Sequence, residues 1–129
     1  MEKYSGSSLL IFSSILLAIP GILIIYNKNK NNYLKFAGFS MILVSLSSII
    51  YHSTGNLIAL KIDYFLRNIF GAIFSIYSVS IGNVWPIVYG TIAILGYQKN
   101  QINQHFDNKN HALFVHIPVF LGFSAFLLN

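Results

Sequence analysis

Cysteine is absent from the sequence. Its absence excludes disulfides, a thiol nucleophile and a thiolate metal site, so any metal must be held by His, Asp or Glu. Charge is scarce too. Only 9% of the 129 residues are charged, against about a quarter in an ordinary soluble domain. The net charge of +5 is carried by lysines that sit mostly in short polar breaks between apolar runs. No basic stripe with interleaved aromatics accompanies them, so nucleic-acid binding is not expected. The sequence shows no internal repeat. It also lacks the sustained period-two alternation that an outer-membrane barrel requires.

What remains is apolar: 55% of the residues are hydrophobic, with a mean hydropathy of +0.65. A soluble chain of this length could not hide so much apolar surface in one core. The composition therefore points to an integral, multi-pass membrane protein.

The first apolar run is "SSLLIFSSILLAIPGILIIY", residues 7–26, the length a bilayer needs. It is too long for a signal-peptide core and no small-x-small cleavage site follows, so it reads as a retained span. Pro20 is expected to kink it. A polar break, "NKNKNNYLK", follows over residues 27–35. Further spans are expected at 36–52, 57–80, 84–98 and 111–128. "STGN" (residues 53–56) marks one turn and "QKNQINQHFDNKN" (98–110) marks the second long break. Only Ser78, Ser80, Gly82 and Asn83 separate the third run from the fourth. The expected fold is all-α, a polytopic transmembrane helical bundle of about five spans forming one domain over residues 1–129. Lys28, Lys30 and Lys35 place the first break on the cytoplasmic side, although Lys99 and Lys109 in the fourth break weaken that bias.

Five spans put the second and fourth connections at the same end of the bundle. His52 closes the second span, Asp63 lies within two turns of the start of the third, and His111 and His116 open the fifth. All four are thus expected at similar depth. Ser48 and His52, four residues apart, face nearly the same way on a helix, and Ser45 extends the stripe. Such a stripe must face protein or water. His52, His111 and His116 would supply three imidazole nitrogens, the usual protein share of a catalytic zinc site. Asp63 could orient a water or a ligand imidazole, and Ser48 could hydrogen-bond the same water. Zinc would bring the pKa of that water to about 7.

"SIIYH" at Ser48–His52, the aspartate at Asp63 and the late histidine pair resemble the CREST superfamily. Its members include the alkaline ceramidases, the adiponectin-receptor and haemolysin-III-like proteins and the myomaker-like proteins. The resemblance covers roughly residues 45–67 and 111–116. It implies a seven-helix membrane fold and hydrolysis of lipid amide or ester bonds. It also implies zinc on His52 and the late histidines, with Ser48 and Asp63 assisting. The spacing of His52 to Asp63 is similar to that of the alkaline ceramidases, and "YHS" is closer to the haemolysin-III-like branch.

Two departures stand out. The chain is a shortened member by this reading, with five spans in place of seven, which puts a long acyl-chain pocket in doubt. The late pair is spaced i, i+5, which on a regular helix turns the two side chains about 140° apart. His111 could precede the regular helix, with Asn110 as its N-cap, or Pro118 could loosen the winding. Otherwise His105 is a substitute ligand.

Each residue also has a plain structural explanation. His52, His111 and His116 could be interface residues at helix ends. Asp63 could pair with Arg67 at i+4. Ser45, Ser47 and Ser48 could satisfy backbone carbonyls, and Gly71, Gly82, Gly90 and Gly96 could be close-packing positions. The function expected is a zinc-dependent lipid amidase or esterase with membrane lipids as its partners. The alternatives are a non-catalytic subunit of a larger membrane complex or homo-oligomer, and a proton or ion path through Asp63 and the histidines.

Overall fold

The computed structural model describes residues 6–102 and 107–129. Five long helices account for nearly all of them, and no strand occurs among the described residues. Helix α1 spans Ser8–Tyr26, α2 Asn32–Thr54, α3 Leu57–Ser80, α4 Trp85–Ile102 and α5 Asn108–Leu128. Three of these, α1, α2 and α5, are long and apolar enough to cross a membrane. Helices α3 and α4 are long as well, but each carries a polar stretch: Lys61, Asp63, Arg67 and Asn68 on α3, and Gln98 to Gln101 on α4.

The ends follow local chemistry. Ser7 caps α1 by accepting from Leu10 N, and Asn31 caps α2 by accepting from Leu34 N at 2.9 Å. Gly55, at φ 64°, closes α2 in the left-handed conformation, and Asn56 immediately caps α3. That tight junction fixes His52 in the last turn of α2. Helix α2 begins four residues before the expected 36, because the polar turn 32–35 belongs to the helix. Helix α4 likewise runs past residue 98 to Ile102. The cap of α5 is Asp107, which accepts from Asn110 N at 2.7 Å, and not Asn110 itself.

Helix α1 is interrupted at Leu17, where Leu17 N turns to Ser14 O. The interruption sits just ahead of Pro20, whose ring and missing N–H disturb the carbonyl four residues back. Beyond it, α1 meets α2 backbone to backbone. A Cβ on Gly38 would lie 2.8 Å from Gly21 O. Small residues permit this approach, and in a membrane close packing of this kind holds helices together.

Helix α2 packs between α1 and α3, α4 packs along α5, and α1 also lies against α5. The end of the bundle away from the histidines has an apolar core. Phe74, Phe123, Phe126, Met41, Ile24 and Leu34 are buried there. The Phe74 ring meets those of Phe123 and Phe126 edge-on at 5.6 and 5.7 Å. The last carbonyls of α5 are also tied at this end. Lys30 Nζ donates to Leu127 O at 2.8 Å, and Asn83 Nδ2 donates to Ala125 O at 3.0 Å. These bonds satisfy acceptors that a helix C-terminus leaves open. The Asn83 carbonyl in turn accepts from Ser78 Oγ.

Candidate metal centre

At the other end, α2 and α5 bring His52, His111 and His116 together. Each offers a ring nitrogen, and the three nitrogens lie within 4.8 Å of one another. His52 Nε2 and His116 Nε2 are 3.3 Å apart. Two nitrogens on one tetrahedral zinc, each bonded at 2.0–2.1 Å, stand about 3.3 Å apart. The pair thus already has the separation a shared ion imposes. The histidines are 1%, 3% and 5% exposed in chain order, which sets aside the reading of them as interface residues.

The i, i+5 spacing is reconciled by the winding of α5. Residues Ala112–His116 form a π turn, with Ile117 N donating to Ala112 O five residues back. In this wider turn a residue stacks over the one five positions away, so His111 and His116 share a face. Their ring centroids are 4.8 Å apart. His111 does not precede the helix. It lies inside it, one turn past the Asp107 cap. Pro118 follows within two residues and cannot donate to Phe114 O, consistent with a disturbed winding at this point. The substitute ligand considered in the sequence, His105, lies outside the described residues.

Sequence reasoning missed Ser13. Its Oγ lies 2.6 Å from His116 Nδ1 and 3.1 Å from Leu10 O. A hydroxyl has one proton to give. With that proton on Leu10 O, Ser13 accepts from His116 Nδ1–H, and the Nε2 lone pair is left facing the other histidines. A partner on the remote nitrogen is the usual way to fix a ligand imidazole. The "SS" of residues 13–14 inside an apolar run was the only signal.

Ser48 is held differently from the expectation that it would bond a water. Ser14 Oγ donates to Leu10 O at 2.7 Å, so Ser48, 2.9 Å from Ser14 Oγ, is the donor between them. Ser45 Oγ donates to Ser14 O at 2.6 Å. The stripe on α2 thus laces α2 to α1 and brings Ser13 to His116. Asp63 is buried and is not one of the grouped ligands. Its Oδ1 accepts from Ser47 Oγ at 2.8 Å and its Oδ2 pairs with Arg67 Nε at 3.2 Å, the i, i+4 pair that the sequence offered as its plain explanation. Arg67 extends from there to the Tyr97 ring at 5.8 Å, and Tyr97 meets the His111 ring at 6.2 Å.

A cleft of about 500 Å³ opens between α3 and α4, floored by α5. Arg67 and Tyr97 border it on the histidine side, and Phe70, Phe74, Val119 and Phe123 line it farther down. No family model matches the chain, and neither a curated protein nor a solved structure matches it.

Proposed function

We propose that this is a small multi-pass membrane protein whose five helices all span, and that it is a zinc-dependent hydrolase of a lipid amide or ester, similar to the CREST superfamily. The convergence of His52, His111 and His116 carries the reading. The bundle's polarity supports the membrane: Ser13, Ser14, Ser45, Ser47, Ser48, the three clustered histidines and Asp63 are buried, while Phe12, Phe36, Phe39, Phe65 and Ile76 face outward. Polar groups turned inward and apolar groups outward suit lipid. The Asp63–Arg67 pair lowers the cost of carrying charge on α3.

The donor set, three neutral imidazoles without thiolate or carboxylate, suits zinc and leaves a position open for a water or a carbonyl. Zinc held by His52, His111 and His116 would supply a water ionised near neutral pH and a Lewis acid for the carbonyl. The protein's own residues do the rest. Ser13 holds the His116 ring with Nε2 inward. Ser48 and Asp63 act as positioning groups, the first through Ser14 and the second through Arg67. The cleft accepts the apolar part of a lipid, with Arg67 and Tyr97 at the boundary between chain and reacting group.

The experiment is elemental analysis of the detergent-purified protein beside His52→Ala, followed by release assays on amide- and ester-linked lipids. About one zinc per chain, lost in the variant together with hydrolysis, is expected. A protein that stays metal-free after zinc is offered removes this reading. It would favour the non-catalytic subunit, with the open cleft receiving a partner's helix.

A further inference from the structure

We infer that Gly96 on α4 is a positioning residue of the histidine centre. Its bare backbone makes room for the π turn of α5, and the π turn sets His111 beside His116. The inference deepens the metal reading above and rests on it for one of its two measurements.

The argument starts from the extra residue in the turn. A π turn places one more residue in a helical turn than an α turn does, and the backbone must bulge to hold it. Pro118 cannot donate to Phe114 O, and its ring crowds that carbonyl outward. The carbonyl is directed at α4, and it meets α4 at Gly96. A Cβ built on Gly96 would lie 2.8 Å from Phe114 Cβ and closer still to Phe114 O. Both obstacles belong to the backbone or its first carbon, so no side-chain rotation relieves them. The contact is specific to this position. A Cβ on Gly90, on the same helix, would meet nothing within 4 Å, and the same holds for Gly71 and Gly82. The surroundings hold the turn in place: Lys99 Nζ lies 5.3 Å from the Phe114 ring, and Tyr97 packs on His111.

Alanine at position 96 would therefore press on Phe114 O, a carbonyl inside the π turn. The relief open to α5 is to rewind toward α geometry or to move off α4. Rewinding swings His111 away from His116.

The missing cysteine makes the winding measurable without metal. His111→Cys/His116→Cys introduces the only two thiols in the chain. On a regular helix, Cα atoms five residues apart are separated by about 9 Å, beyond the roughly 7 Å that a disulfide spans. The π turn brings them within reach. Oxidation with dithiodipyridine is expected to close an intrachain disulfide, read as loss of maleimide labelling, with Gly96 present and equally in an Ile92→Ala control. In a Gly96→Ala background of unchanged far-UV helicity, closure is expected to fall at least about tenfold. Equal closure with alanine at position 96 overturns the inference, as does failure to close in the Gly96 background.

In the histidine-bearing chain, Gly96→Ala is expected to weaken zinc binding roughly 10- to 100-fold, the range for residues that position a ligand. Unchanged zinc affinity would also overturn it. A chain that binds no zinc yet shows Gly96-dependent closure ends the metal reading and upholds the role of Gly96.

Discussion

The two ends of the bundle are held by different physics. At the far end, aromatic rings from α3 and α5 interlock around Phe74 and Phe126. Packing of this kind is non-directional and depends on filled volume. At the histidine end the contacts are directed hydrogen bonds: Ser48 with Ser14, Ser45 to the Ser14 carbonyl, and Ser13 with His116. Each needs a particular atom in a particular direction. The lesson is a division of labour. The far end offers filled volume, and the histidine end offers directed polar groups.

Substitutions at the two ends should then move different observables. The largest effect is expected from His52→Ala, which should take zinc from about one per chain to none while the helical content is kept. Ser13→Ala comes next. It leaves all three ligands in place but frees the His116 ring, and zinc affinity should fall roughly 10- to 100-fold by competition with a chromogenic chelator. At the far end, Phe126→Ala opens a void among the rings and should cost about 3–5 kcal/mol in unfolding free energy, with zinc stoichiometry unchanged. Loss of zinc there would break the comparison by showing that the ends are coupled. The smallest effect is expected from Ser80→Ala. That exposed hydroxyl only returns to the Tyr77 carbonyl of its own helix. Its removal should shift stability by under about 0.5 kcal/mol and leave zinc binding alone.

The outline of this fold is legible in the sequence because apolar run length and polar breaks are local properties. Residues 57–80 form a helix as the run implies. Counting connections was enough to expect His52 and the late histidines at one end, and they do meet there. The details of the centre depend on contacts between helices and were not legible. Ser13 and Ser14 read as two more residues of an apolar run, because their partners lie on α2 and α5. The pair at 111 and 116 read as splayed on a regular helix, and Pro118 offered looser winding as one way out without saying where the extra residue would be taken up, which is at Ala112–His116. Of the four glycines grouped as close-packing positions, only Gly96 meets a neighbouring backbone, while Gly21 and Gly38, left out of that group, form a second backbone-to-backbone crossing. Which glycine is approached depends on the facing helix, and no sequence window contains both.

The lacing between α1 and α2 has a consequence for the order of assembly. His52 and His116 are 64 residues apart in the chain. In the five-span arrangement proposed above, α2 would enter the membrane long before α5 exists, carrying a serine stripe that lipid would penalise. The stripe need not wait. Ser45 and Ser48 find their partners on α1, already made, and Gly21 and Gly38 let the two helices close into a self-sufficient hairpin. His52 is left for later. It meets His111 and His116 only when α5 docks, a position that Lys30 and Asn83 hold by taking final carbonyls of that helix. The three-histidine cluster is therefore complete only once the last helix is in place, so its formation reports on the docking of α5.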